Sequence, residues 1–150
     1  MEYINEIGCQ GTLDDYMLYF QKLNTRSIRL IEKMVEPGVQ YKGPFDDVQG
    51  VEAFEMVLQK ASILRGQSRL HIQDYAWGQA GNVAYVRWTL SYQILQKVRR
   101  IDGVSELMFS KRGKIMAHHD HWDAGEAVYE HIPLLGAAVR RSKSKISTRG

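Results

Sequence analysis

The 150-residue chain has one cysteine, Cys9. No intrachain disulfide can form, and a reducing compartment is the natural expectation. No apolar run approaches the ~20 residues needed to cross a bilayer. The opening MEYINEIGCQG lacks the basic stretch and apolar core of a secretory signal. These absences point to a soluble, cytoplasmic protein with no membrane partner. There is no internal repeat. No acid follows Glu130, while Arg140, Arg141, Lys143, Lys145 and Arg149 supply five of the 20 basic residues. Residues 1–139 therefore hold 15 basic and 17 acidic groups, so the overall charge of +3 belongs to the C-terminus and the rest is slightly acidic. We expect one domain over residues 1–139 and a flexible basic tail over 140–150. The tail holds no aromatic residue to stack on bases, so nucleic acid is not an expected partner.

Hydrophobic residues make up 44% of the chain, enough for one core. The first half is patterned for helices. Leu13, Tyr16, Met17, Phe20 and Leu23 repeat at helical spacing, with Thr12 as N-cap. A second short helix fits residues 26–35, ended by Glu36-Pro37-Gly38. Val39 to Lys42 is extended, Gly43-Pro44 breaks it, and a third helix carries Val51, Phe54, Val57, Leu58 and Ala61 on one stripe. After Gly66 the period changes to two. Strands fit residues 69–77 and the run AYVRWTLSYQIL, where Ala84, Val86, Trp88, Leu90 and Tyr92 share a face. Further strands fit 99–110 and 114–122; Asp102-Gly103 inside the first is a bulge or a hairpin turn, and the bulge is favoured because a turn would leave strands of unequal length. Asp123 and Glu126 have the spacing of a capping box for a short last helix. Helices first and a strand meander after them predict an α+β domain, a strongly curved antiparallel sheet wrapped over N-terminal helices. The mouth of such a cone is a usual place for a ligand pocket.

Two segments carry a resemblance. KGPFDDVQG, between a short strand and a helix, is similar to the "DPF…G" segment of SnoaL-like proteins. KIMAHHDHWD followed by YEHIPLLG resembles the closing strand and C-terminus of bacterial members of that group, within the nuclear transport factor 2-like (NTF2-like) superfamily. The order of elements agrees over roughly residues 12–139. The resemblance implies an NTF2-like, cystatin-like cone with a deep hydrophobic pocket and a homodimer formed through the outer sheet face. It also implies either a cofactor-free acid–base enzyme (isomerase, cyclase or dehydratase type) acting on a small apolar molecule, or a non-catalytic ligand-binding or protein-interaction module. The chain departs from the pattern at Lys42-Gly43, where an acid is often found, so no role of that acid carries over.

The segment HHDHWD, residues 118–123, poses the chemical question. On a strand, His118, Asp120 and Trp122 share one face and His119 and His121 the other. Three histidines cannot then converge on one ion, and no second His- or Cys-rich segment completes a ligand set, so no metal or cofactor is expected. By resemblance Asp120 is the candidate base and His118 its partner. A carboxylate losing water beside Trp and Met is expected to rise in pKa. Tyr16, Tyr41, Trp88, Tyr92, Phe109, Met116 and Trp122 are the candidate pocket residues, with Tyr16 or Tyr41 a hydroxyl donor to an oxyanion. A buried Asp–His pair also serves purely structural networks. Asp74, in phase with Leu70 and Ile72, either faces the pocket as a second carboxylate or is turned away by a bulge.

Overall fold

The computed structural model describes residues 6–64 and 68–127. Along the chain come α1 (Glu6–Gln21), a 3-10 helix (Ile28–Lys33), β1 (Val35–Lys42), β2 (Asp47–Gln49), α2 (Val51–Leu64), β3 (Arg69–Trp77), β4 (Val83–Ile94), β5 (Lys97–Phe109), β6 (Ile115–His121) and α3 (Ala124–Ala127). The strands form one sheet in the order β2-β1-β6-β5-β4-β3. The α+β expectation holds, with one refinement. β1 joins β6 in parallel, so the sheet is mixed rather than wholly antiparallel. A strand that precedes the meander and pairs with its last member arrives by a crossover, which permits this direction.

The core lies between the helices and one face of the sheet. Leu13 and Tyr16 of α1 and Phe54 and Leu58 of α2 are buried against Val86, Leu107, Phe109 and Ile115. Each large apolar side chain so enclosed contributes roughly 1.5–3 kcal/mol relative to exposure. The helical spacing is therefore read correctly, although α1 begins at Glu6 and places Thr12 inside the helix, not at its cap. The second helix is shorter than expected and ends at Lys33. Glu36-Pro37-Gly38 lies within β1, where the register against β6 slips between Val35 and Gln40. Pro37 has no N–H to give to a ladder, and a looped-out stretch is where a strand tolerates it.

Three departures set the shape of the concave face. Asp102-Gly103 is neither a bulge nor a turn: β5 pairs with β4 without interruption, with Gly103 opposite Trp88. The glycine is there for close approach. A Cβ on Gly103 would lie 2.4 Å from Trp88 Cζ2, so the indole rests directly across the bare backbone. The real hairpin turn is Leu95-Gln96, with φ of 49° and 64°. Sequence reading passes over it because it lacks the Asn-Gly signal of such turns. The bulges fall elsewhere, where the register skips Gln73 in β3 and Met116 in β6. Each bulge bends its strand and resets which residues face inward.

Candidate active site

The β3 bulge keeps Leu70 and Ile72 facing inward and turns Asp74 outward, exposed and in register with Arg87. Asp74 is not a second pocket carboxylate. The β6 bulge has the same effect three strands over. Ile115 is fully buried, Met116 is 42% exposed, and His118 is buried again. Met116 is thus on the outside, because the extra residue breaks the alternation at that point. Phe109 is also off the pocket wall. It is buried in the core beneath, with its ring 5.2 Å from Trp77.

Under the helices the sheet encloses a cavity of about 830 Å³, within the ~300–1,000 Å³ range of small-molecule sites. Tyr16, Tyr41, Trp88, Tyr92 and Trp122 reach its wall as expected, and so do His118 and Asp120. Most of the lining is apolar: Phe20, Leu23, Val57, Leu58, Leu70 and Ile72 are examples from the helices and β3. Phe45, in the KGPF segment, lies at the wall with its ring 5.5 Å from Trp122.

The polar end of this cavity is one continuous hydrogen-bond network. His118 Nε2 is 2.7 Å from Asp120 Oδ1, and its Nδ1 is 2.7 Å from the Tyr16 hydroxyl. Ser105 Oγ donates to Asp120 Oδ1 at 2.5 Å, and Tyr41 donates to Oδ2 at 2.9 Å. Trp88 Nε1 in turn donates to Ser105 Oγ at 2.9 Å. Phe20, Tyr41 and Phe54 surround the imidazole, with ring centroids 5.4, 5.2 and 5.8 Å away. The His118 side chain is 4% exposed and that of Asp120 is 17% exposed.

This network reverses one expectation. Burial alone would push the Asp120 carboxyl up, but His118 opposes it through charge and a hydrogen bond, and Ser105 and Tyr41 add hydrogen bonds. The balance holds Asp120 below the usual carboxylate range. The error came from counting lost water without counting the donors that replace it. An ionised Asp120 accepts only, so Nε2 of His118 carries a proton. With a neutral ring, Nδ1 accepts from Tyr16. With a charged ring, it donates to the tyrosine oxygen. Burial, followed by the nearby Asp120 charge, pushes both the Tyr16 and Tyr41 hydroxyls up, so both stay protonated. Both are also committed to the network, which leaves neither as the spare oxyanion donor that the sequence suggested.

Sequence reasoning missed Ser105. Its signal was present: with Ile101, Gly103, Leu107 and Phe109 it shares the inward phase of β5, and it is the one hydroxyl on that face. It also missed what Gly43 makes room for. A Cβ there would lie 2.8 Å from the Tyr41 hydroxyl, so the glycine leaves room for the group that donates to Asp120. On the opposite face, His121 Nε2 is 3.6 Å from Glu106 Oε2, while His119 Nε2 is buried with no hydrogen-bond partner among the described residues. Among the described residues no three His, Cys, Asp or Glu side chains are grouped to hold a metal. No helix among them is long and apolar enough to cross a membrane. The YEHIPLLG segment and the basic tail lie outside the described residues.

Solved structures agree with this architecture. A protein of Xanthomonas campestris pv. campestris proposed to be a polyketide cyclase superposes with a TM-score of 0.65 at 13% identity, covering 81% of this chain and 95% of its own. The epoxide hydrolase/cyclase-like enzyme SalBIII, with a role in pyran ring formation in the polyether salinomycin, gives 0.63 at 17% identity over 76% and 92%. An NTF2-like protein of unknown function from Burkholderia pseudomallei K96243 gives 0.63 at 15% identity over 79% and 93%. The chain has the NTF2-like α+β cone fold. At these identities the likeness is one of fold. No family model matches the sequence, and no curated protein matches it either.

Proposed function

We propose that this protein binds a small, largely apolar molecule in the cone and acts on it by proton transfer, without a cofactor, as an isomerase, cyclase or dehydratase would. Asp120 is the base and His118 its partner. The observation that carries this reading is an ionised, hydrogen-bonded carboxylate set into the wall of an otherwise apolar 830 Å³ cavity. Three donors occupy Asp120, and a carboxylate offers about four acceptor positions, so one remains for a proton of the ligand. A lowered pKa keeps the base ionised at neutral pH but weakens its pull. It therefore suits an already activated proton, such as one next to a carbonyl. Fold neighbours that include cyclase-like enzymes support the same reading. The outer sheet face, with Tyr85 exposed, is where a homodimer would form.

The test is a screen of carbonyl compounds for turnover and for thermal stabilisation, followed by Asp120→Asn. We expect the variant to keep ligand binding and lose at least about a hundredfold in rate, the usual scale for a general base. Full turnover by Asp120→Asn would remove Asp120 from the chemistry. The saturation of most of the carboxylate favours a second reading, a non-catalytic binding module. Tight ligand binding with no turnover of any compound would select it.

A further inference from the structure

The last β3–β4 partner pair is Arg69 with Ser91. Beyond it, Tyr92 to Ile94 pair with Arg99 to Lys97, and among the described residues no third strand runs alongside this two-stranded ribbon. Such a ribbon is marginal without something to pack on. Its tip is strongly apolar. Leu95 is 90% exposed and Val98 is 76% exposed, the two largest values among the exposed large hydrophobic residues described. Turn formation does not account for the leucine. Leu95 and Gln96 both have φ in the left-handed region, where asparagine or glycine is favoured and leucine costs strain. The ribbon is also basic. Lys97 and Arg99 lie on it and Arg100 at its base, with no acid between Tyr92 and Ile101. Arg100 is held by Asp102 at 3.2 Å, whereas Lys97 and Arg99 are in no ion pair among the described residues. The ribbon grows from the rim of the cavity, since Tyr92 and Gln93 line it. Lys60 of α2 also lines the cavity.

We propose that the β4–β5 ribbon docks on an anionic lipid surface, with Leu95 and Val98 entering the interface and Lys97 and Arg99 facing the headgroups. Apolar residues at a tip with cations behind them match the layered chemistry of that surface, where acyl boundary and anionic headgroups lie at different depths. An exposed apolar patch rimmed by charge marks an interaction site, and the cations select an acidic partner. Docked in this way, the cavity mouth opens towards the lipid, so an apolar ligand enters without crossing water. That last clause rests on the proposed ligand-binding role, but the docking does not. It replaces the sequence expectation of no membrane partner with peripheral contact and needs no spanning helix.

The experiment is cosedimentation of the full chain with phosphatidylcholine vesicles, with and without phosphatidylglycerol. We expect binding only to the mixed vesicles, weakened by salt. Leu95→Ser/Val98→Ser keeps every charge and should weaken binding about tenfold or more. Lys97→Gln/Arg99→Gln should weaken it roughly fivefold for each cation removed. All four side chains are exposed, and circular dichroism melts should confirm that the variants fold. Absence of binding by the wild-type chain would overturn the proposal. So would unchanged binding by Leu95→Ser/Val98→Ser, which would assign attraction to cations elsewhere, including those after residue 139. A change from dimer to monomer in that variant, with vesicle binding intact, would make the tip a contact between copies and would also overturn it. None of these results bears on turnover at Asp120, so the two readings fail separately.

Discussion

Replacing Gly103 with alanine tests how the sheet supports the site. The new Cβ would meet Trp88 at Cζ2, Cη2 and Cε2, 2.4, 2.5 and 2.9 Å away. These are atoms of a rigid ring, not the end of a flexible chain, so the whole indole must move. Trp88 is 8% exposed and packed with Ile101, which gives it little room. Overpacking of this kind costs about 1–3 kcal/mol. Moving the indole also pulls Nε1 from Ser105 Oγ, and a buried polar group left unmet costs about 1–3 kcal/mol more. Together the change should destabilise by roughly 2–6 kcal/mol, lowering the melting temperature by about 4–24 °C for a chain of this size. Chemical unfolding followed by circular dichroism would measure it. The double variant Trp88→Phe/Gly103→Ala isolates the cause, because the smaller ring relieves the clash and the two changes should not add. A Gly103→Ala protein within about 0.5 kcal/mol of wild type would refute the reasoning. So would an equal cost of Gly103→Ala when Trp88→Phe is already in place.

Further outcomes follow from the Asp120 network. In the folded state Asp120 lies below its ordinary pKa, so its contribution to stability is complete above the ordinary carboxyl range. It is lost as pH falls through that range towards the lower folded value. Unfolding midpoints measured against pH should show this acid loss, and Asp120→Asn should flatten it. Tyr41→Phe removes a donor to Oδ2 and should move the acid limb to higher pH; an unmoved limb would mean that the Tyr41 bond does not hold the carboxylate down. Tyr16→Phe leaves His118 Nδ1 without its partner in a buried site, at a cost of about 1–3 kcal/mol by denaturant unfolding. A loss under about 0.5 kcal/mol would show that Nδ1 finds another partner.

The α+β order, the helical stripe through Leu13, Tyr16 and Phe20 and the alternation of β4 were legible because each is a local period. The shared face of His118, Asp120 and Trp122 was legible for the same reason, its inward direction came from the family resemblance, and all three reach the cavity. Local phase fails where a strand gains a residue. Met116 was misplaced because nothing in KIMAH announces a bulge, and Gln73 likewise hid the outward turn of Asp74. The Leu95-Gln96 turn was hidden because its residues are not turn formers.

By itself the sequence determined which residue types were at hand: one cysteine, a single stretch rich in His and Asp, and an inward row on each strand. Only the tertiary structure decided what they do together. Tyr16, Tyr41 and Ser105 lie 102, 79 and 15 positions from the groups they bond, and such pairings depend on register and helix docking. The Asp120 pKa shows the consequence. Burial could be guessed from neighbours on one strand, and the largest opposing influence, His118, lies on that strand too; but Ser105 of β5 and Tyr41 of β1 add to the lowering, and no local pattern counts those.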